Sequence, residues 1–320
     1  MSGPSKGTPP GSSGPAGALA VHRGTVLESV GGVYRVALDE GGEVDASLRG
    51  RVKQEPRTGD RVVPGDRVGI DEAHDGGHTI EVVLPRENEL VRGGPAGRKA
   101  KVVVANLDRI AVVLAVDEPP FRETVADRFL VLAEVCGISP VLVLNKVDLP
   151  GHDEVVASVR DLYQPLGYPV LATSAETSRG LEALRETFAR GISAMVGPSG
   201  VGKSSLLNEL LPGIELRTAP VTRRGGRGRH TTVGARLIRF SADGWMADTP
   251  GFSEIGLWNV EPSALARAFP EFEDPSEECR FRVCTHSHEP ECGVLAALER
   301  GEIDPRRYEN YRVLLEEVSG

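Results

Sequence analysis

The sequence predicts a multidomain α/β protein: an N-terminal β-barrel, a central sheet covered by helices on both faces, and a C-terminal helical region. Three observations carry this. Between Gly24 and Leu84, short alternating runs are separated by Gly- and Pro-containing turns, the pattern of a small barrel. From Asp108 onward, wholly apolar runs alternate with amphipathic stretches, as in a mainly parallel sheet buried on both sides. Beyond Trp258 the remaining stretches have helical periodicity and enclose a Cys/His cluster.

The 320 residues are 40% hydrophobic and 26% charged, the balance of a globular protein. The longest apolar runs, such as Ile110 to Val116, are too short to span a bilayer. Residues 1–18 read as a disordered Gly/Pro/Ser tail without the apolar core of a signal peptide, so a cytoplasmic protein is expected. A net charge of -9 gives no global attraction to nucleic acid. Local basic patches remain: Arg92, Arg98, Lys99 and Lys101 in a Gly-containing linker, and Arg223, Arg224, Arg227 and Arg229 further on.

Residues 19–92 form the first folded part. Gly24 to Leu27, Val33 to Leu38, Val44 to Leu48, Arg67 to Ile70 and Thr79 to Leu84 read as its strands, with Gly31-Gly32, Gly41-Gly42 and Pro64-Gly65 as turns. This number of short strands in so few residues suits a barrel of the oligonucleotide-binding (OB) type.

Residues 93–258 form the second part. Ile110 to Val116, Val141 to Leu144, Val170 to Ala172 and Ile192 to Val196 read as buried strands. Between them lie a helix with Val125, Phe129, Leu132, Ala133 and Cys136 on one face, a helix from about Glu154 and another around Leu181 to Ala189. Residues 259–320 supply helical stretches at Glu261 to Phe269, Gly293 to Arg300 and Pro305 to Val318.

The chemistry is carried by four short motifs. Gly197-Pro198-Ser199-Gly200-Val201-Gly202-Lys203-Ser204, followed by Ser205, matches the phosphate-binding pattern GxxxxGK[ST] between a strand and a helix. Its backbone N–H groups and the helix N-terminus suit phosphate. Lys203 is positioned to reach the β- and γ-phosphates, and the Ser204 hydroxyl to ligate Mg²⁺. Asn145-Lys146-Val147-Asp148 follows a buried strand. The Asp148 carboxylate can accept from the ring N–H and exocyclic amine of guanine, a pair that adenine lacks, which argues against an ATPase. Asn145 can bond the ring edge, and the Lys146 stem can lie over the base. Ser174-Ala175 fits the loop whose backbone N–H meets the guanine oxygen. Asp248-Thr249-Pro250-Gly251 fits switch II, which holds Mg²⁺ through water and senses the γ-phosphate.

Their order is unusual. The base loop and Ser174 precede the phosphate loop, which in an ordinary GTPase comes first. Joining the Leu181 to Ala189 helix to the Ile192 strand, and opening the chain beyond Asp248, keeps all sites at one sheet edge. The central part is thus predicted to be a circularly permuted P-loop GTPase domain in which switch II runs straight into the C-terminal region.

Barrel, permuted GTPase and terminal Cys/His cluster together resemble the ribosome small-subunit-dependent GTPase A (RsgA, also called YjeQ) family over essentially everything after the tail. The resemblance implies one structural Zn²⁺ per chain held by Cys279, Cys284, His286 and Cys292. The residue types agree, since three thiolates and an imidazole can close a tetrahedral site; His288 is the alternative to His286. The resemblance also implies GTP hydrolysis with Mg²⁺, a role late in assembly of the small ribosomal subunit, contact with its rRNA, and release on subunit-stimulated hydrolysis. No membrane partner and a monomer are expected. The alternative reading is a slow or non-hydrolysing GTP-dependent switch acting on the large subunit or another RNA.

Many GTPases carry a water-orienting glutamine after the DxxG glycine; here that position is Phe252, so intrinsic hydrolysis is expected to be slow. The stretch RRGGRGRHTT, Arg223 to Thr232, reads as switch I. Its His230 resembles the family histidine proposed to position water, and is the candidate catalytic residue beside Lys203. Thr231 or Thr232 is expected on Mg²⁺. Val233 stands where a third threonine is common in the family.

Overall fold

The computed structural model describes residues 22–49, 61–72, 76–92, 101–213, 235–249, 257 and 260–319. The tail, Arg98, Lys99, the switch I stretch with His230, Thr231 and Thr232, and Pro250, Gly251 and Phe252 lie outside the described residues.

The alternating runs form β1 (His22–Val30), β2 (Val33–Leu38), β3 (Glu43–Leu48), β4 (Arg67–Glu72) and β5 (His78–Val83). They close a barrel in the order β1-β2-β3-β5-β4, with β3 and β5 parallel and the other neighbours antiparallel. Alternation aims Val26, Val36, Ala46, Val68, Ile70 and Ile80 into the barrel core. Asp66 is fully buried there, where Arg86 donates through Nε (2.6 Å) and Nη2 (2.9 Å) to its two oxygens.

The basic linker expected between barrel and sheet is in part a hairpin, β6 (Glu89–Arg92) with β7 (Lys101–Ala105), and Arg92 faces Lys101 across it. Leu90 and Val104, both fully buried, anchor the pair; the Gly and cationic residues between the strands masked that signal. The boundary drawn at residue 92 falls between these two strands. The segment after β7 also clamps the barrel: Ala105 N donates to Pro64 O (3.0 Å) and Asn106 Nδ2 to Gly65 O (2.9 Å).

The central sheet has the order β10-β9-β8-β11-β13-β12. Its strands are β8 (Arg109–Ala115), β9 (Ser139–Asn145), β10 (Val170–Ala172), β11 (Arg190–Val196), β12 (Arg236–Arg239) and β13 (Asp243–Asp248). All neighbours are parallel except the edge pair β12 and β13. The intervening helices are α1 (Glu123–Val135), α2 (Asp153–Tyr163), α3 (Leu181–Thr187) and α4 (Lys203–Leu210). Alternate residues of β8 serve opposite faces. Ile110, Val112 and Leu114 meet Phe129, Leu130, Val159 and Leu162, whereas Ala111 and Val113 meet Leu184, Phe188, Leu206 and Leu207. Two-sided burial explains why β8 is apolar at every position from Ile110 to Ala115. Strand β12, not anticipated from the sequence, has only Leu237 and Ile238 buried between Arg236 and Arg239, a stretch too short to stand out.

The C-terminal region contains α5 (Pro262–Arg267), a 3-10 turn (Pro270–Phe272), α6 (Glu273–Glu277), α7 (Gly293–Glu299) and α8 (Pro305–Ser319). Helix α6 has no buried residue, hence no apolar face to predict it from. Phe269 stacks on Phe272 at 5.2 Å, and Tyr311 meets Phe272 edge-on at 4.9 Å. Val131 of α1 joins this core, which fastens the region to the central sheet. No helix among the described residues is long and apolar enough to cross a membrane.

Candidate nucleotide and zinc sites

Strands β8, β9 and β10 step outward in one direction, and the chain then returns to place β11 on the other side of β8. The resulting switch point between β8 and β11 opens a crevice beyond the strand C-termini, where ligands bind in open α/β sheets. The phosphate loop leaves β11, the base loop leaves β9, Ser174 follows β10 and Asp248 ends β13. Motifs spread from Asn145 to Asp248 therefore meet along one sheet edge.

The phosphate loop can curl only as glycine. Gly197 has φ +143° and Gly202 φ +95°. A Cβ at Gly197 would run into the Val113 carbonyl, and one at Gly202 into the Asn145 amide. Gly202 caps α4, whose N-terminus presents Lys203, Ser204 and Ser205. Lys203 Nζ donates to the carbonyls of Gly197 and Pro198, each at 2.7 Å, so the ammonium sits inside the loop. Burial lowers its pKa to about 8, a cost that a bound phosphate would offset. Ser199 and Gly200 form the loop's tip, with Pro119 of the β8–α1 loop facing Gly200.

The base loop is tied to the phosphate loop from within. Asn145 is buried, and its Nδ2 donates to Val201 O at 2.9 Å, while Thr173 Oγ1 lies 3.3 Å from its Oδ1. The expected ring-edge contact is thus joined by a structural one: the same amide sets the distance between the two loops. Lys146, at φ +63°, donates from Nζ to the Glu118 carbonyl. Asp148 is exposed at the mouth of the crevice. Ser174 is fully buried, its N–H donates to Arg179 O (2.9 Å), and its Oγ accepts from Thr177 N (3.0 Å). Ala175 follows, half-buried, within the same turn.

Asp248 stands opposite Arg236 in the β12–β13 ladder, and Arg236 Nε donates to its Oδ2 at 3.2 Å. Thr249 is half-buried beside it. Ser204 and Asp248 are oxygen donors on α4, which follows β11 across the phosphate loop, and on the neighbouring strand β13, the hard donor type that Mg²⁺ takes.

The ligand atoms of Cys279, Cys284, His286 and Cys292 all lie within 4.8 Å of one another. Tetrahedral zinc with ordinary Zn–S and Zn–N bonds requires edges of about 3.8 Å between sulfurs and about 3.5 Å between sulfur and nitrogen. The observed edges are 3.8 Å for Cys279–Cys292, and 3.6 and 3.4 Å from His286 Nδ1 to Cys279 and Cys292. The cluster is therefore compatible with a zinc site. His286 Nε2 faces Ser276 Oγ at 3.4 Å, the outer partner that orients a metal-bound ring. His288 is exposed and its Nδ1 meets Ser287 Oγ, outside the cluster. Glu289, which no sequence motif marks, organises the loop: it accepts from Thr285 N (2.7 Å), Thr285 Oγ1 (2.6 Å) and Ser287 N (3.0 Å). Burial raises its carboxyl, but these donors outweigh it and hold the pKa well below the usual range.

With this geometry in place, comparison with known proteins decides the family. The family model described as RsgA GTPase matches residues 83–258. The chain belongs to the RsgA GTPase family. It is 45% identical over 300 residues to the small ribosomal subunit biogenesis GTPase RsgA of Gemmatimonas aurantiaca, covering 93% of this chain and 97% of the relative. Against the RsgA of Moorella thermoacetica the identity is 43%, over 92% and 97% of the two chains. The crystal structure of YjeQ from Thermotoga maritima superposes with a TM-score of 0.79 at 37% identity, covering 94% of this chain and 99% of that one. That of YloQ, a circularly permuted GTPase, gives 0.76 at 28% identity, over 93% and 95%. The RsgA assignment thus spans barrel, permuted GTPase fold and Cys/His region together.

Proposed function

We propose that this protein is a GTP hydrolase that assists late maturation of the small (30S) ribosomal subunit, with hydrolysis stimulated by the subunit and coupled to release. The observation that carries the proposal is the meeting of four guanine-nucleotide motifs, in permuted order, at one sheet edge of a chain whose relatives are named small ribosomal subunit biogenesis GTPases. Asp148 selects guanine. Ala175 supplies the backbone N–H for the guanine oxygen, because that of Ser174 is already bonded to Arg179. The amides of Gly197 to Ser205 cradle the phosphates, and Lys203 neutralises them. Ser204 and Asp248 serve Mg²⁺ directly and through water, together with Thr231 or Thr232.

Phe252 offers no group to orient water, so His230 is proposed for that task. Cys279, Cys284, His286 and Cys292 hold one structural Zn²⁺, which leaves no open position for catalysis. The domain division into 19–92, 93–258 and 259–320, a cytoplasmic location and a monomeric state belong to the same proposal. An OB barrel supplies the nucleic-acid-binding face.

The test is phosphate release from GTP with purified small subunits, large subunits serving as control. Strong stimulation by small subunits alone, lost in His230→Ala with nucleotide binding intact, is the expected result. Stimulation that survives His230→Ala moves the catalytic group elsewhere. Absence of stimulation by either subunit favours the slow, binding-only switch that Phe252 suggests.

A further inference from the structure

Arg236 is the first charged residue after the segment that carries switch I, and β12 carries it to the position opposite Asp248. Its Nε donates to Asp248 Oδ2 at 3.2 Å, and the two side chains are 29% and 16% exposed. A carboxylate in such a pair already has a cation as partner. A divalent ion approaching through its water shell meets both the attraction of Asp248 and the repulsion of the guanidinium.

We infer that Arg236 is a positioning residue that competes with Mg²⁺ for Asp248, a charge latch that sets how much Mg²⁺ the switch requires. The inference rests on the proposed role of Asp248 at Mg²⁺. Without Mg²⁺ the latch holds the carboxylate against β12; with Mg²⁺ the carboxylate turns to the metal's water shell, and the Arg236–Asp248 bond opens on the strand that follows switch I. One residue then links occupancy of the metal site to both switches, through a contact that the bound nucleotide does not make.

The strength follows from Coulomb's law. A unit charge about 6 Å from a divalent ion in a water-like dielectric shifts its affinity by roughly tenfold. The experiment measures binding of a fluorescent, non-hydrolysable GTP analogue and its dissociation rate across a Mg²⁺ titration, for the parent, Arg236→Gln, Arg236→Lys and Asp248→Asn. In Arg236→Gln the half-saturating Mg²⁺ concentration is expected to fall roughly tenfold, with affinity in EDTA unchanged. Arg236→Lys, which keeps the charge, is expected to stay near the parent. Arg236→Met keeps the stem packing and replaces the glutamine variant should that one fail to fold.

An unchanged or raised Mg²⁺ requirement in Arg236→Gln, beside an Asp248→Asn variant whose Mg²⁺ response has flattened, overturns the latch alone. An Asp248→Asn variant that keeps the parent Mg²⁺ response overturns the underlying reading of Asp248, and the latch with it.

Discussion

Arg307 and Asp127 form an ion pair whose side chains are 1% and 0% exposed, joining α8 of the C-terminal region to α1 of the central sheet. The pair is fully enclosed in hydrogen bonds. Tyr163 OH (2.7 Å) and Asn310 Nδ2 (2.6 Å) donate to the two oxygens of Asp127, and the guanidinium donates through Nε to Glu271 Oε1 (2.6 Å) and through Nη2 to Oε2 (3.2 Å). Phe269 lies under the guanidinium at 4.5 Å. Burial opposes the charge on Arg307, but the carboxylates of Asp127 and Glu271 outweigh it and hold its pKa above the usual arginine value. The junction thus ties the C-terminal region to the central sheet through buried charge as well as through apolar packing.

Removing one partner of this pair leaves the other charged and buried. Asp127→Ala is therefore expected to destabilise the protein by about 3–5 kcal/mol, whereas Asp127→Ala with Arg307→Met should cost clearly less than the sum of the single changes. Denaturant unfolding of the four proteins completes the cycle. Additive effects would mean that the two charges are not coupled.

Metal removal separates the two histidines. His286→Ala and Cys292→Ser are expected to lose the single bound zinc, measured by metal analysis after gel filtration, and to lower the unfolding temperature. Tyr308 and Tyr311 hold the carbonyls of His286 and Thr285 (2.9 and 2.6 Å), so loosening of the cluster passes directly to α8. His288→Ala should keep a full equivalent of zinc. Loss of zinc in His288→Ala alone would place the ligand there instead.

The phosphate loop could be read from sequence because it is a local pattern, and the Cys/His cluster because its residues are close in sequence and match the family's pattern. The inner strands of the central sheet were equally open to reading, since burial on both faces leaves only apolar residues from Ile110 to Ala115 in β8. The Asp127–Arg307 network escaped for the opposite reason. Its members lie 180 positions apart, and a charged residue on a helix is ordinarily a solvated one. The signal was present as an acid inside the buried run Ala126 to Ala133, but only the tertiary fold supplies its partner. Arg236 was hidden likewise, as a surface-type residue whose meaning comes from the β12–β13 register. Asn145 shows an intermediate case. Its motif announced a base contact, while its bond to Val201 depends on the sheet order that permutation leaves intact.

Gly202→Ala tests the join between base loop and phosphate loop. The new methyl would occupy the place of the Asn145 amide, at a φ of +95° that alanine rarely adopts. Either the Asn145–Val201 bond or the loop must give way. Isothermal titration should show GDP affinity reduced at least about a hundredfold, roughly the 2.7 kcal/mol expected for a lost buried hydrogen bond plus backbone strain. Affinity within a fewfold of the parent would mean that the loop tolerates the shift.

The proposed function assigns base selection to Asp148. Its replacement by Asn exchanges an acceptor for an amide that can donate, which suits the second carbonyl of xanthine rather than the exocyclic amine of guanine. Asp148→Asn is expected to bind guanine nucleotides at least about tenfold more weakly and xanthine nucleotides more tightly than the parent does. Competition between GDP and xanthosine diphosphate for a fluorescent nucleotide reads both changes. A uniform loss for both bases would assign Asp148 a structural role in the loop instead.

The pH response of nucleotide binding follows from Lys203. Burial lowers its folded pKa to about 8 from 10.5. Between these values the unfolded chain binds more protons than the nucleotide-free folded one, so this lysine makes the free protein more stable as pH rises through that window. Nucleotide binding runs the other way. Phosphate favours the ammonium, so above about pH 8 each binding event must take up a proton, and affinity falls by up to about tenfold per pH unit. GDP titrations between pH 7 and 9.5 in buffers of different ionisation enthalpy measure both the slope and the proton taken up. A Lys203→Arg variant, charged throughout, is expected to lose the slope even where it binds more weakly. A slope that persists in Lys203→Arg would assign the proton to a different group.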